Sequence, residues 1–345
     1  MLGIGSTIEL KNMTSRLILT FSFLLLSTMF AAADVPGAIR IVAPNLVRIE
    51  TIGGHEKVNN EFANEGTSTG VLIDQEGHII TGAFNFLHDP ASILIIFSDG
   101  TKKVATKVAT DRLRMLTLLK TNDFTGGNGV PLPMRSKESI RVGERCIAVG
   151  TVLHSTEPNV ALGIVSGKNR IWGKAIQTDA AIGPNNYGGL LIDFAGNVLG
   201  IPVPLSMMSQ NVAAGAEMYD AGVGLAIPWE DVTALLPKLK EGHDRFPGSV
   251  GFGFKENQTF IGEPVIAMIL PDSPADNAGL KVGDRIVRID DVSMPTALDV
   301  AKNIRQYYAD EVLSIVFLRD GTEHTVLLTT VLAGQTGRAA RNQAM

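Results

Sequence analysis

Gly66-Thr67-Ser68-Thr69-Gly70-Val71-Leu72-Ile73-Asp74-Gln75-Glu76-Gly77-His78-Ile79-Ile80-Thr81 is two short, β-branched runs around a polar turn. Such a pattern predicts two antiparallel strands joined at residues 74–77. The same rhythm runs outward in both directions. Strands are expected at Leu46–Ile52, Ile93–Phe97, Lys103–Ala109, Leu116–Lys120, Cys146–Gly150, Ala161–Val165, Ala175–Thr178, Leu190–Ile192 and Val198–Ile201. Ser98-Asp99-Gly100 and Phe194-Ala195-Gly196-Asn197 supply further turns. This succession predicts a mainly β fold, a sandwich or a pair of barrels. The first helical pattern is read only after Pro228, over Trp229–Leu239, where Val232, Leu235, Leu236 and Leu239 recur at helix spacing. The polar stretch 240–247 reads as a linker.

Length and composition agree with two domains. The chain has 345 residues, of which 45% are hydrophobic and 19% charged, a balance that excludes wholesale disorder. The 36 glycines and 16 prolines follow no period, which excludes a collagen-like chain. Net charge is −5 and no Lys/Arg-rich run occurs, so a nucleic-acid partner has no electrostatic footprint. Cys146 is the single cysteine; it allows no internal disulfide and no zinc site of paired thiolates. No phosphate loop or metal cluster is evident, and no cofactor is expected.

Lys11 and Arg16 precede an apolar run, Leu17 to Phe30, followed by Ala31-Ala32-Ala33 and Asp34. A positive flank, a short apolar core and small residues before a polar one read as an export signal, 1–33, cut after Ala33. Met13 would also serve as a start. The apolar core is shorter than the roughly 20 residues that span a bilayer, so a membrane association is expected only if the signal is retained. The mature chain is expected to be periplasmic or secreted.

The motifs between 66 and 228 resemble those of the trypsin-like domain of the HtrA (Deg) family of exported serine proteases. They include the opening pair of strands, Arg141-Val142-Gly143-Glu144, Gly163-Ile164-Val165-Ser166-Gly167, Gln177-Thr178-Asp179-Ala180-Ala181-Ile182 and Gly222-Val223-Gly224-Leu225-Ala226-Ile227-Pro228. The resemblance implies a double β-barrel over 34–239. It also assigns the catalytic positions, and all three are substituted. Phe84 falls on the histidine, Met115 on the aspartate and Tyr187 on the serine, in the string Asn185-Asn186-Tyr187-Gly188-Gly189. Phe and Met have no titratable group, and a phenol without a base is a poor nucleophile near neutral pH. Asn185 replaces a glycine of the oxyanion loop, to which Asn186 and Gly188 also belong. The expectation is that Tyr187 projects into the cleft and that Phe84, Met115 and Tyr187 pack together between the barrels. An active alternative would need Ser68 or Ser166 as nucleophile with His88 as base.

Residues 248–332 resemble a PDZ domain of the α+β type. Gly251-Phe252-Gly253-Phe254 matches its carboxylate-binding loop; Pro271-Asp272-Ser273-Pro274-Ala275, Val282-Gly283-Asp284 and the hairpin turn Asp320-Gly321 follow in order. The resemblance implies that a peptide C-terminus meets the amides of this loop and lies beside a helix expected at 296–308. Gly251, Phe252, Gly253, Phe254, Leu298, Val300, Ala301 and Ile304 are the expected peptide-binding residues, with Tyr308 extending the same face. Residues 333–345 read as a tail. The expected function is a pseudoprotease that binds peptides or protein C-termini as scaffold, adaptor or holdase. The alternatives are an active endopeptidase, or a subunit assembling as a homotrimer or with active HtrA paralogues.

Overall fold

The structure is a computed structural model that describes residues 34–53, 57–58, 61–62, 66–86, 89–125, 129–205, 222–255 and 262–334. The export-signal stretch, His88 and most of the tail lie outside them. Besides a short hairpin of Lys57–Val58 and Glu61–Phe62, the first half has six strands, β1 (Leu46–Ile52), β2 (Gly66–Leu72), β3 (His78–Gly82), β4 (Ser92–Ile96), β5 (Lys102–Asp111) and β6 (Leu116–Thr121). These six close into a barrel in the order β1-β2-β3-β6-β5-β4. The next six are β7 (Arg145–Gly150), β8 (Asn159–Asn169), β9 (Ala175–Thr178), β10 (Leu190–Asp193), β11 (Val198–Pro202) and β12 (Gly224–Pro228). These close in the equivalent order, β7-β8-β9-β12-β11-β10. The hairpin that decided the sequence reading pairs Val71 with Ile80 and Leu72 with Ile79.

The near-continuous apolar runs have a direct cause. Successive side chains of a strand face opposite ways, and here both faces are covered. Ile79 and Leu119 fill the first barrel, whereas Ile80 and Leu118 join the core between the barrels. In the second barrel Ala148 and Leu191 point inward, and Ile147, Leu190 and Ile192 meet the first barrel's residues. The helix α1 (Val35–Val42) covers this shared core with Ala38 and Val42. It corrects the reading that helix begins only after Pro228: Pro36-Gly37 looks like a turn, but Pro36 lies in the first turn, where its missing N–H costs nothing. Helix α2 (Trp229–Lys240) buries Trp229, Val232, Leu235 and Leu239.

The C-terminal part has its own core around Val250, Ile266, Ile286, Ile289, Val300, Leu313, Ile315 and Phe317. It contains β13 (Phe252–Gly253), β14 (Met268–Ile269), β15 (Arg285–Ile289), α3 (Ala297–Ile304), β16 (Val312–Arg319) and β17 (Thr322–Thr329). A capping box between Thr296 and Asp299 starts α3. The helix stops at Ile304, short of the expected 308.

Tyr308 explains the stop and corrects the expectation that it extends the helix face. It turns away into the core shared with the barrels. Its hydroxyl donates to Asp111 Oδ2 at 2.7 Å and accepts from Arg114. Asp111 is fully buried at the end of β5 and also accepts the amides of Leu113 and Arg114 at 2.8 and 3.0 Å. Burial pushes its carboxyl up, opposed by the Arg114 charge, the Tyr308 hydroxyl and those amides. Arg245 stacks on the Tyr308 ring, 4.4 Å from its centre. The stretch read as a linker is therefore docked: the Arg245 amide donates to Thr110 O at 2.8 Å and the Arg112 amide to Arg245 O at 2.9 Å.

Removing one hydroxyl should unsettle this junction. Tyr308→Phe leaves a buried carboxylate short of a donor, which costs about 1–3 kcal/mol. The expected result is a lower denaturant midpoint; an unchanged midpoint would mean that Asp111 finds another donor.

Candidate functional site

Two sites follow from the fold, a seam between the barrels and a groove at the C-terminal domain. At the seam, Phe84 sits in the helical turn after β3 and Met115 immediately precedes β6. The Ala83 amide donates to Met115 O at 2.8 Å. Tyr187 approaches from the second barrel, its carbonyl accepting from the Thr69 amide at 3.4 Å. Gly188 has φ 76°, and a Cβ there would lie 2.2 Å from Thr69 O and 2.8 Å from Gly82 N, so only glycine fits. The structure thus brings the backbones near Phe84, Met115 and Tyr187 to one seam.

Their side chains do not form the expected plug. Phe84 is 37% exposed. Met115 packs against the core between the barrels and holds φ 58°, an uncommon conformation for a bulky residue. Tyr187 is 9% exposed and belongs to the interior of the second barrel, with Cys146, Leu191 and Leu199. It is buried rather than projecting into the cleft, because the turn 183–187 folds back on itself. Gly183 O accepts the amides of Asn186 and Tyr187 at 2.9 and 3.1 Å, and the Gly188 amide donates to Pro202 O at 2.9 Å. An oxyanion hole needs amides aimed at the developing charge; these three are committed inside the protein. Asn185 is not among the positive-φ residues, so it does not use the left-handed tolerance that asparagine offers.

Other candidate groups are dispersed. Ser68 is buried on β2 with its hydroxyl unpartnered among the described residues, and Ser166 lies on β8. His78 Nδ1 is 2.7 Å from Asp74 Oδ2, and Glu76 lies close by. Lys240 Nζ is already 2.8 Å from Asp74 and supplies the positive charge of that cluster. Burial pushes the Asp74 carboxyl up, yet hydrogen bonds from Lys240 and the His78 amide hold it at about 2.

The groove lies between β13 and α3 as a cavity of about 600 Å³. Gly251, Phe252, Gly253, Phe254, Val300, Ala301 and Ile304 all line it. Gly251 has φ 84°, and a Cβ there would meet Ser273 Cβ at 2.2 Å, so this loop turn too demands glycine. The rings of Phe252 and Phe254 stand edge to face, 5.7 Å apart. Leu298 does not line the cavity. It sits one turn nearer the start of α3 than Ala301.

The sequence reading missed the opposite wall. Leu113, Ile171, Trp172 and Lys174 of the barrels face the groove, and Arg305 stands at its mouth. The Arg305 guanidinium lies 3.9 Å from the centre of a Trp172 ring, and Gln306 donates to Trp172 O at 3.3 Å. Arg305, one residue past Ile304, was within reach of the helix pattern. The barrel residues had no local signal, since tertiary docking, through Tyr308, Arg305 and Gln306, brings them there.

Comparison with known proteins agrees with this geometry. A trypsin-like peptidase domain matches residues 68–201 and a PDZ domain residues 248–330. The chain is 29% identical over 307 residues to the serine endoprotease DegS of Escherichia coli K12, covering 85% of this chain and 84% of the relative. It is 26% identical to the serine protease Do-like HtrA of Lactococcus lactis IL1403, covering 85% and 81%. Among solved structures, a form of the HtrA-type protease AlgW with tripeptide superposes with a TM-score of 0.66 at 25% identity, covering 87% of this chain and 97% of the other. Double barrel and groove define the class, a trypsin-like peptidase domain joined to a PDZ domain. Over both domains the chain is similar to proteases of the HtrA/Deg family.

The seam makes a contrast that can be measured. Tyr187→Ala empties part of a barrel core and should cost about 3 kcal/mol or more, whereas Phe84→Ala, at a partly exposed position, should change stability by about 0.5 kcal/mol or less. Thermal melts of the two variants check this; equal effects would contradict the separate environments described.

Proposed function

We propose that this protein is an exported, non-cutting member of its family that holds polypeptide C-termini in its PDZ groove as scaffold, adaptor or holdase. The observation that carries the reading is chemical. Phe84 and Met115 offer no proton acceptor, and Tyr187 is buried with its amide donated to Gly183. A triad acts as a unit, so losing its members leaves at most binding and residual assistance. Binding in the groove needs none of them. A glycine-rich loop, apolar walls and an open cavity suffice, and the ligand adds as a strand beside Phe252–Phe254. The export signal read at 1–33 agrees with a relative from Marinomonas described as a probable periplasmic serine endoprotease, DegP-like.

Assembly with other copies, or with active paralogues, is a second part of the reading. Val160, Leu162 and Ile164 alternate along β8 and are 41%, 57% and 38% exposed, with Leu153 also exposed. A row of this kind supports an interface. The names of the relatives favour the competing reading, an active endopeptidase, with the buried Ser68 hydroxyl its best remaining nucleophile.

The purified mature chain should neither cleave casein nor be labelled by a fluorophosphonate. Apolar C-terminal peptides should bind it and lose roughly tenfold or more in affinity on amidation. Labelling at Ser68 or Ser166 would establish the active reading instead. The single substitutions Phe84→His, Met115→Asp and Tyr187→Ser should each stay inert.

A further inference from the structure

The groove carries a charge pattern that a plain apolar C-terminus does not need. The whole chain is net negative, by −5, yet the described residues lining the cavity include Lys174 and Arg305 and no carboxylate. Lys174 is 7% exposed. Among the described residues its ammonium has no hydrogen-bond or ion-pair partner, although a buried charge is costly unless paired. Asp111, its nearest opposite charge by influence, is occupied by Tyr308, Arg114 and two amides. The backbone leading to Lys174 is itself strained. Asn169, Ile171 and Trp172 hold φ of 54°, 49° and 62°, and Gly173 follows at 91°. Strain of this kind persists where the surroundings enforce it, commonly at ligand sites.

We infer that Lys174, supported by Arg305, selects polypeptides bearing an acidic side chain near the C-terminus, whose terminal carboxylate meets the Gly251–Phe254 loop. The ligand is then a peptide with two carboxylates, one for each side of the cavity. This rests on the groove taking a C-terminus, as proposed above. Burial and the charges of Arg114 and Arg305 lower the Lys174 ammonium from 10.5 to about 8, with Asp111 opposing. The charge is therefore present at neutral pH and is lost as pH rises past about 8. A bound carboxylate shifts that loss upward.

The test is fluorescence polarisation with the full mature chain and apolar hexapeptides. Each of the last four positions carries Asp, Glu, Asn or Gln in turn, with free and amidated ends. At one position the acid should bind about tenfold more tightly than its amide at pH 7. Lys174→Met should abolish that preference while keeping dependence on the free terminus, and Lys174→Arg should retain it. Lys174→Met should also melt higher than the parent below pH 8, the difference fading as pH rises toward 10.5, which shows that it folds. Equal binding of acid and amide at every position, or an acid preference that survives Lys174→Met, overturns the inference. Free and amidated peptides binding equally throughout overturns the C-terminus reading instead, and no binding of any peptide overturns both.

Discussion

The buried carboxylate of Asp111 and the hydroxyl of Tyr308 hold this molecule in its working shape. A carboxylate with no exposure has lost all its water and must recover donors from the protein. Two come from its own turn, at Leu113 and Arg114. The tyrosine donor crosses from the other domain, 197 residues away in sequence. Delivering it requires the chain to leave α3 at Ile304 and turn into the barrels, which fixes the end of that helix. Since α3 is one wall of the groove, a barrel carboxylate sets the position of a wall in the PDZ domain. Arg245 adds its ring contact, and its pair with Glu311 at 2.9 Å ties the docked linker to the same point.

Phe84, Met115 and Tyr187, at the positions the resemblance assigns to a triad, are compatible with this architecture. The seam is held by backbone and small polar groups: Thr81 Oγ1 donates to Thr69 O at 2.6 Å, and the Thr151 amide donates to Thr69 Oγ1 at 2.7 Å. Gly82 and Gly188 allow the two barrels to touch there. A charged pair in such a place carries a desolvation cost, and apolar substitutes are often neutral or stabilising. Tyr187 takes that option furthest by joining the second barrel's core. Its amide then follows the turn inward, so side chain and backbone leave the cleft together.

Most of the architecture was legible because strands carry local signals. Alternation, β-branched residues and the turns at 74–77 and Asp320-Gly321 mark the barrel strands and the last hairpin. Glycines forced by close approach, Gly188 and Gly251, marked both sites. What the sequence concealed was tertiary. Helix α1 hides behind Pro36-Gly37. The direction of the Tyr187 ring depends on a turn that closes on Gly183, which its spacing cannot encode. Leu298 and Tyr308 share a helical period with the groove residues, but the helix ends before Tyr308 and Leu298 does not line the cavity. Lys174 and Arg305 lie far apart in the chain, and no periodicity links them.

Lys174 also shows why the cavity belongs to neither domain alone. The PDZ side supplies the glycine loop, Phe252, Phe254 and the apolar face of α3. The barrel side supplies Trp172 and a buried ammonium at the end of a strained turn. Strain and an unpaired charge both raise the free energy of the folded chain, and Asp111, already occupied by other donors, offsets the charge only in part. A structural lysine would be expected to reach water or a carboxylate, as Lys240 and Lys137 do here, with Asp74 and Asp231 at 2.8 and 2.9 Å. Lys174 meets no carboxylate among the described residues and faces a cavity that still has room for a ligand. On the proposed reading, the apolar walls give affinity toward chain ends in general and the isolated cation gives choice among them.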